Sequence, residues 1–308
     1  MRDAFIRELT RQASEDKNLV LITGDLGFGV LTDFAEKFPD QYVNAGIAEQ
    51  NMTAMACGMA MEGIRAFTYS IANFTTLRCL EQIRNDVCYH DADVTVVSVG
   101  AGFSYGQLGV SHFATEDLAI MRVLPNMTVI VPSDPWEAEE LTRQMVDIKS
   151  PKYLRIDKGM AGLPADAPSV KIGKARRVRN GADCTVFCIG AILSEAMLAA
   201  EILAKDNISL RIISINTLKP FDQTEVITAA VETGGIITLE EHSIIGGLGG
   251  AVAEACLEAG ANPGFFKRLG LNDTYPTVVG DQEYLRKEYG LDSTASEKTF
   301  RDALGYEK

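Results

Sequence analysis

Residues 44–63 read NAGIAEQNMTAMACGMAMEG, and from 47 to 61 ten of the fifteen positions are Met, Ala, Ile or Cys. One carboxylate, Glu49, stands near the entrance of that run. In the first turn of a helix it would gain roughly 0.3–1 kcal/mol from the positive end of the dipole. It could equally be a proton carrier awaiting a partner. A buried carboxylate is costly unless something bonds it, and a ligand nitrogen would serve. Four other residues are candidates for chemistry. His112 lies in a glycine-rich loop, GQLGVSHFATED, where an imidazole is either a surface group or an acid–base group. Phe74, in SIANFTT, is an aromatic in a turn region, where core packing is the ordinary role. Arg155, in YLRID, sits at the end of a strand, and its plain reading is a salt bridge to Asp157. Asp25 closes the apolar run NLVLITGD, where a buried strand gives way to a loop.

Other chemistries find no support. GGLGGAV (246–252) follows a strand and opens a helix, but Val252 stands where a dinucleotide fingerprint needs its third small residue, so a helix–strand packing turn is the better reading. No G-x-x-x-x-G-K-[ST] or H-E-x-x-H occurs. The histidines, His90, His112 and His242, are too scattered for a metal cluster, and no metal ligands are assigned. Cys57, Cys79, Cys88, Cys184, Cys188 and Cys256 form no Cys-x-x-Cys pair and read as reduced core residues. A net charge of −13 argues against a nucleic-acid partner. No apolar run reaches the roughly 20 residues that span a bilayer, so no membrane partner is expected. The N-terminal MRDAFIRELTRQ reads as an amphipathic helix and not as a targeting peptide, which makes the cytoplasm the default location.

The elements that must hold these residues alternate. Strands are expected at 18–27, 93–100, 127–134 and in PKYLRID, with helices in MTAMACGMAME and TLRCLEQIRNDVCYH. A further helix follows Asp134 as N-cap and Pro135 in the first turn. After a Gly-, Pro- and Ala-rich stretch the alternation resumes, with strands in DCTVFCIG, SLRIISINTLKP and GIITLEE and helices between and after them. Strands separated by helices imply mainly parallel sheets covered by helices on both faces. The expected architecture is therefore α/β, with two domains at 1–157 and 171–308 and a linker at 158–170.

At this point the residues resemble a family. NAGIAEQNMTAMACGMA is similar to the segment that carries the essential glutamate in the pyrimidine-binding domain of transketolases. LGVSHFATEDLAIMRVLPNMTVIVPSDPWEA resembles the stretch that follows in the same domain. TLEEHSIIGGLGGAVAE resembles the C-terminal domain of transketolases and of 1-deoxyxylulose-5-phosphate synthases. The resemblance covers essentially the whole chain and implies thiamine diphosphate as cofactor. It casts Glu49 as the catalytic group that bonds N1′ of the aminopyrimidine, so that the ring's imino nitrogen can take the proton from C2 of the thiazolium. It casts Phe74 as the aromatic stacked on the pyrimidine and Asp25 as an acidic residue near cofactor and donor. His112 becomes a catalytic and substrate-channel histidine, and Arg155 a holder of the substrate phosphate. The implied reaction moves a two-carbon ketol unit from a ketose phosphate to an aldose phosphate.

Two departures qualify this. Where ordinary transketolases carry a His-Asp pair and an acidic residue before the loop histidine, this chain has Gly100-Ala101 and Leu108, which puts the usual pentose phosphates in doubt. The Gly-Asp-Gly and downstream Asn that hold the divalent metal in this superfamily are missing. Mg²⁺ or another divalent ion, and the diphosphate, are therefore expected mainly on a partner: a transketolase N-terminal-half subunit, in an α2β2 assembly. The β subunit of a 2-oxoacid dehydrogenase E1 component, a split 1-deoxyxylulose-5-phosphate synthase-like enzyme and a non-enzymatic scaffold are the competing readings.

Overall fold

The computed structural model describes residues 1–163 and 170–306. The first half runs α1 (Arg2–Glu15), β1 (Leu19–Thr23), α2 (Thr32–Lys37), β2 (Tyr42–Asn44), α3 (Glu49–Met61), β3 (Arg65–Ile71) and α4 (Ala72–Thr75). It continues with α5 (Leu80–Gln82), β4 (Val94–Val99), α6 (Asp117–Val123), β5 (Thr128–Ile130), α7 (Pro135–Gln144) and β6 (Lys152–Ile156). The second half runs β7 (Arg176–Arg179), β8 (Cys184–Ile189), α8 (Leu193–Ala204), β9 (Leu210–Ser214), β10 (Thr217–Lys219), α9 (Gln223–Glu232) and β11 (Ile236–Ser243). It ends with α10 (Leu248–Glu258), β12 (Phe266–Leu271), α11 (Gln282–Glu288) and α12 (Ser293–Ala303).

Two sheets result. The first has the order β10-β5-β6-β4-β3-β1-β2 and the second β12-β11-β8-β9-β7. All pairings are parallel except those of β10 with β5 and of β7 with β9. Strands β1, β4 and β8 are buried at every position, as strands covered on both faces must be. One apolar cluster joins the two sheets, from Val20 and Met52 through Met121 to Phe187 and Val252.

Three local expectations are corrected. The single strand expected over SLRIISINTLKP is two strands in different sheets: β9 pairs with β8, while β10 crosses to pair antiparallel with β5. Asn216 makes the switch, its carbonyl accepting from Val131 N–H and its side chain donating to the Lys174 carbonyl. The helix expected in TLRCLEQIRNDVCYH is broken into a 3₁₀ turn (Leu77–Cys79), α5 and a π-helical segment (Ile83–Cys88). Asp134 sits at the N-cap of α7, but its carboxylate accepts from Gly162 and Leu163 N–H instead of the helix. Glu137 takes over, accepting from Ser133 N–H at 2.8 Å. Within the expected linker, residues 164–169 lie outside the described residues. All six cysteines are buried and unpaired. Among the described residues no helix is long and apolar enough to cross a membrane.

Candidate active site

Glu49 is the first residue of α3 and is 3% exposed. Its Oε2 accepts from Arg78 Nη1 at 2.8 Å, while Oε1 accepts no hydrogen bond from the described residues. The partner expected to be missing is thus supplied in part by the protein, from 29 positions along the chain. Gly24, at the end of β1, lets the carboxylate come close: a Cβ there would stand 3.2 Å from Glu49 Cγ. Cys79 lies beside it, and burial pushes its thiol up to about 11, so it stays protonated.

Arg78 links Glu49 to the other candidates. Its guanidinium lies 4.2 Å from the centroid of Phe74, and the Phe74 and His112 rings meet edge to face at 5.1 Å. The side chain of Asn73 donates to the Val110 and Ser111 carbonyls and so ties α4 to the histidine loop. His112 Nδ1 lies 3.0 Å from Ser111 Oγ. Burial first, and the Arg78 charge second, lower the pKa of His112, so the imidazole is neutral at pH 7. Glu49, Arg78, Phe74 and His112 therefore form one contiguous row.

Asp25 stands next to this row, not in it. Its φ of +58° is in the left-handed region, where a non-glycine residue is held only by its surroundings. Here Asn44 holds it, accepting from Asp25 N–H at 3.1 Å and donating to Asp25 Oδ1 at 3.0 Å.

Arg155 is elsewhere. It is 2% exposed, and its partner is Asp117, not the expected Asp157: Nε donates to Asp117 Oδ2 at 2.8 Å. Its Nη2 donates to the Ala114 and Glu241 carbonyls. A guanidinium committed in this way is not presented to a substrate phosphate, and we leave Arg155 out of the substrate site.

The glycine turn before α10 is filled from within. Glu240, wholly buried, accepts from Leu248 N–H at 2.7 Å and from Gly249 N–H at 2.8 Å. An internal carboxylate thus occupies the helix N-terminus that a dinucleotide phosphate would need, in keeping with a packing turn.

A family model of the transketolase pyrimidine-binding domain matches residues 1–162, and one of the transketolase C-terminal domain matches 173–295. This chain belongs to the transketolase family. The transketolase chain is 37% identical to a Methanocaldococcus jannaschii protein assigned as a transketolase C-terminal section, over 99% of this chain and 96% of that one. It is 35% identical to one of the subunits of the apulose-4-phosphate transketolase of Phocaeicola vulgatus, over 97% of this chain and 95% of that one. Among solved structures it superposes on a split-gene transketolase described as an inactive β4 tetramer, with a TM-score of 0.87 and 33% identity, covering 100% of this chain and 98% of that one.

Arg78 is the member of the row that sequence reasoning misses. Its position falls in the first turn of the one long helix expected there; in the structure it lies in the separate 3₁₀ turn Leu77–Cys79, with its side chain on Glu49 and Phe74. The odd composition of LRCLEQIR, with charges set among apolar residues, is the available signal.

Proposed function

We propose that this chain is the small subunit of a thiamine-diphosphate-dependent transketolase. It would transfer a two-carbon ketol unit from a ketose phosphate to an aldose phosphate, and act only with a partner chain that supplies the metal and diphosphate site. One observation carries the reading: a buried carboxylate, Glu49, keeps one oxygen uncommitted in a row with Phe74 and His112. The residues fit the aminopyrimidine end of such a cofactor. Glu49 Oε1 is free to exchange a proton with a ring nitrogen, Phe74 offers a ring for stacking, and Gly24 leaves room beside the carboxylate. When bound, thiamine diphosphate supplies a nucleophilic carbon that carries the ketol unit. The chain's own part is to offer Glu49 Oε1 as an acceptor to a ring nitrogen, and to offer a neutral imidazole at His112 to sugar oxygens.

Among the described residues no group of three or more His, Cys, Asp or Glu is placed to hold a metal ion. We therefore assign Mg²⁺ and the diphosphate to the second chain, in an α2β2 assembly. The description of the related β4 tetramer as inactive supports the need for that chain. Asp25, beside Gly24, is assigned to the cofactor and donor side of the site, and the cytoplasm to its location. The test is to copurify the chain with a partner bearing Gly-Asp-Gly and a downstream Asn, add thiamine diphosphate and Mg²⁺, and assay a panel of ketose phosphates against aldose phosphates. Ketol transfer that needs both chains is the expected result. Turnover of pyruvate, or of 2-oxoacids onto a lipoyl acceptor, with none of ketose phosphates, would overturn it, as would no turnover at all.

A further inference from the structure

The histidine loop belongs to the first domain, yet it is fastened by the second. At its root Gly102 and Ala114 bridge through two backbone hydrogen bonds of 3.1 and 3.0 Å. Strand β11 holds both ends of that bridge. On the entering side Glu241 Oε1 accepts from Phe103 N–H at 2.6 Å. On the leaving side Ser243 N–H donates to the Thr115 carbonyl at 2.8 Å. Arg155 spans the two, its Nη2 donating to the Ala114 carbonyl at 2.8 Å and to the Glu241 carbonyl at 3.2 Å. Glu241 is itself fixed, paired with Arg286 Nε and accepting from Gln282 Nε2 at 2.8 Å. The root is dry: Phe103, Phe113, Arg155 and Glu241 are all buried, and the two phenylalanine rings meet at 5.3 Å. The tip is not: Leu108 and Val110 are more than half exposed. A short buried root under an exposed tip is the arrangement that transmits a root displacement to the tip, here to His112 against Phe74.

We propose that Glu241 is a positioning residue for the reaction. Through the root of the loop it sets where His112 stands, so the second domain completes a site whose reacting groups all lie on the first. Arg155 has the same duty from the other side of the root. The proposal rests on the reading of His112 as a group that meets the substrate.

Two variants test it in the complex with the partner chain. Glu241→Ala removes the acceptor for Phe103 N–H but leaves Arg286 buried without its carboxylate. Gly102→Ala keeps both side chains of that pair but strains the root and presses on the carboxylate: φ is +52°, and a Cβ would meet Glu241 Oε1 at 2.3 Å. Each is expected to leave thiamine diphosphate affinity, measured by calorimetry, as in wild type. Each should lower kcat/KM by about tenfold for the fastest ketose phosphate of the panel, chiefly by raising KM. Hydrogen exchange of the peptide covering 102–112 should accelerate. The decisive readout is a double-mutant cycle: in a His112→Ala background, neither variant should lower kcat/KM further. Losses that multiply in the double variants, or unchanged exchange with unchanged KM, overturn the proposal. If His112→Ala alone keeps wild-type kcat/KM, the reading of His112 fails, and the proposal falls with it for that distinguishable reason.

Discussion

Two glutamates of this chain sit where a strand hands over to a helix, one in each domain. Glu240, within the last half of β11, is satisfied: two backbone amides of α10 bond its oxygens, and it is wholly buried. Glu49, opening α3, is half satisfied: Arg78 takes one oxygen and the other is left over. Both are buried to within a few per cent. The two therefore differ not in residue burial but in whether one carboxylate oxygen is left for a ligand. Glu49 Oε1 is not among the fully buried side-chain atoms left without a partner, so this oxygen keeps contact with accessible space, where a ligand can reach it.

The sharpest way to break the comparison is Glu49→Gln. The amide keeps the shape and can still accept at one atom, but cannot carry a proton. Ketol transfer should fall by at least about a hundredfold. The melting temperature should move little, because the pair with half-exposed Arg78 contributes on the order of 1 kcal/mol or less. Wild-type turnover in the reconstituted complex would remove Glu49 from the mechanism.

Glu240 should respond in the opposite sense, through stability. Burial raises its pKa from the usual carboxylate value to about 7. A group whose folded pKa is raised stabilises the fold fully below its unfolded value and ceases to do so as pH rises to its folded value. Its contribution should therefore decline from pH 4.5 to about 7. Buried His242, whose pKa is lowered chiefly by burial, acts in the reverse direction, its contribution being lost as pH falls below 6.5. Melting curves of wild type and Glu240→Gln across that window isolate the carboxyl: the variant should lack its part of the slope. Identical slopes would mean that Glu240 does not titrate there.

Phe74→Ala sharpens the comparison on the cofactor side. Losing one ring of a stacked pair should weaken thiamine diphosphate binding by roughly two- to tenfold, read by calorimetry on the two-chain complex. Unaltered affinity would leave Phe74 as packing for Arg78 and His112 only.

How much of this is open to reading beforehand follows from the range of each interaction. The parallel sheets are legible because buried strands such as VTVVSV and CTVFCI are continuous apolar runs. β3 is not: RAFTYSI mixes Arg, Thr and Ser into a buried central strand, so it shows neither the apolar run nor the alternation of a strand. Glu49 stands out because charge contrasts with local composition. Its partner does not, since Arg78 is 29 positions away, in the separate 3₁₀ turn Leu77–Cys79. Arg155 goes the same way: Asp157 is the near carboxylate in sequence, but Asp117, 38 positions back, is the near one in space. Residue types announce candidate chemistry; pairings across distant elements decide which candidates are free to perform it.

The smallest expected effect probes the cation that divides the two glutamates. Glu240 is completed by backbone amides, which no side-chain substitution can remove, whereas the one bond that Glu49 accepts from Arg78 comes from a side chain that can be replaced. Arg78 also lowers the pKa of His112, after burial. In Arg78→Met the burial remains and the charge is gone, so the pKa of His112 should rise part of the way back toward 6.5. The imidazole would then protonate at a higher pH on acidification, and the acidic limb of kcat/KM should move to higher pH. Titrating the His112 ring protons by NMR in wild type and variant measures the shift without reference to turnover. A limb that stays in place, or moves to lower pH, would show that Arg78 and His112 do not share one electrostatic environment, and the row from Glu49 to His112 would no longer be a single site.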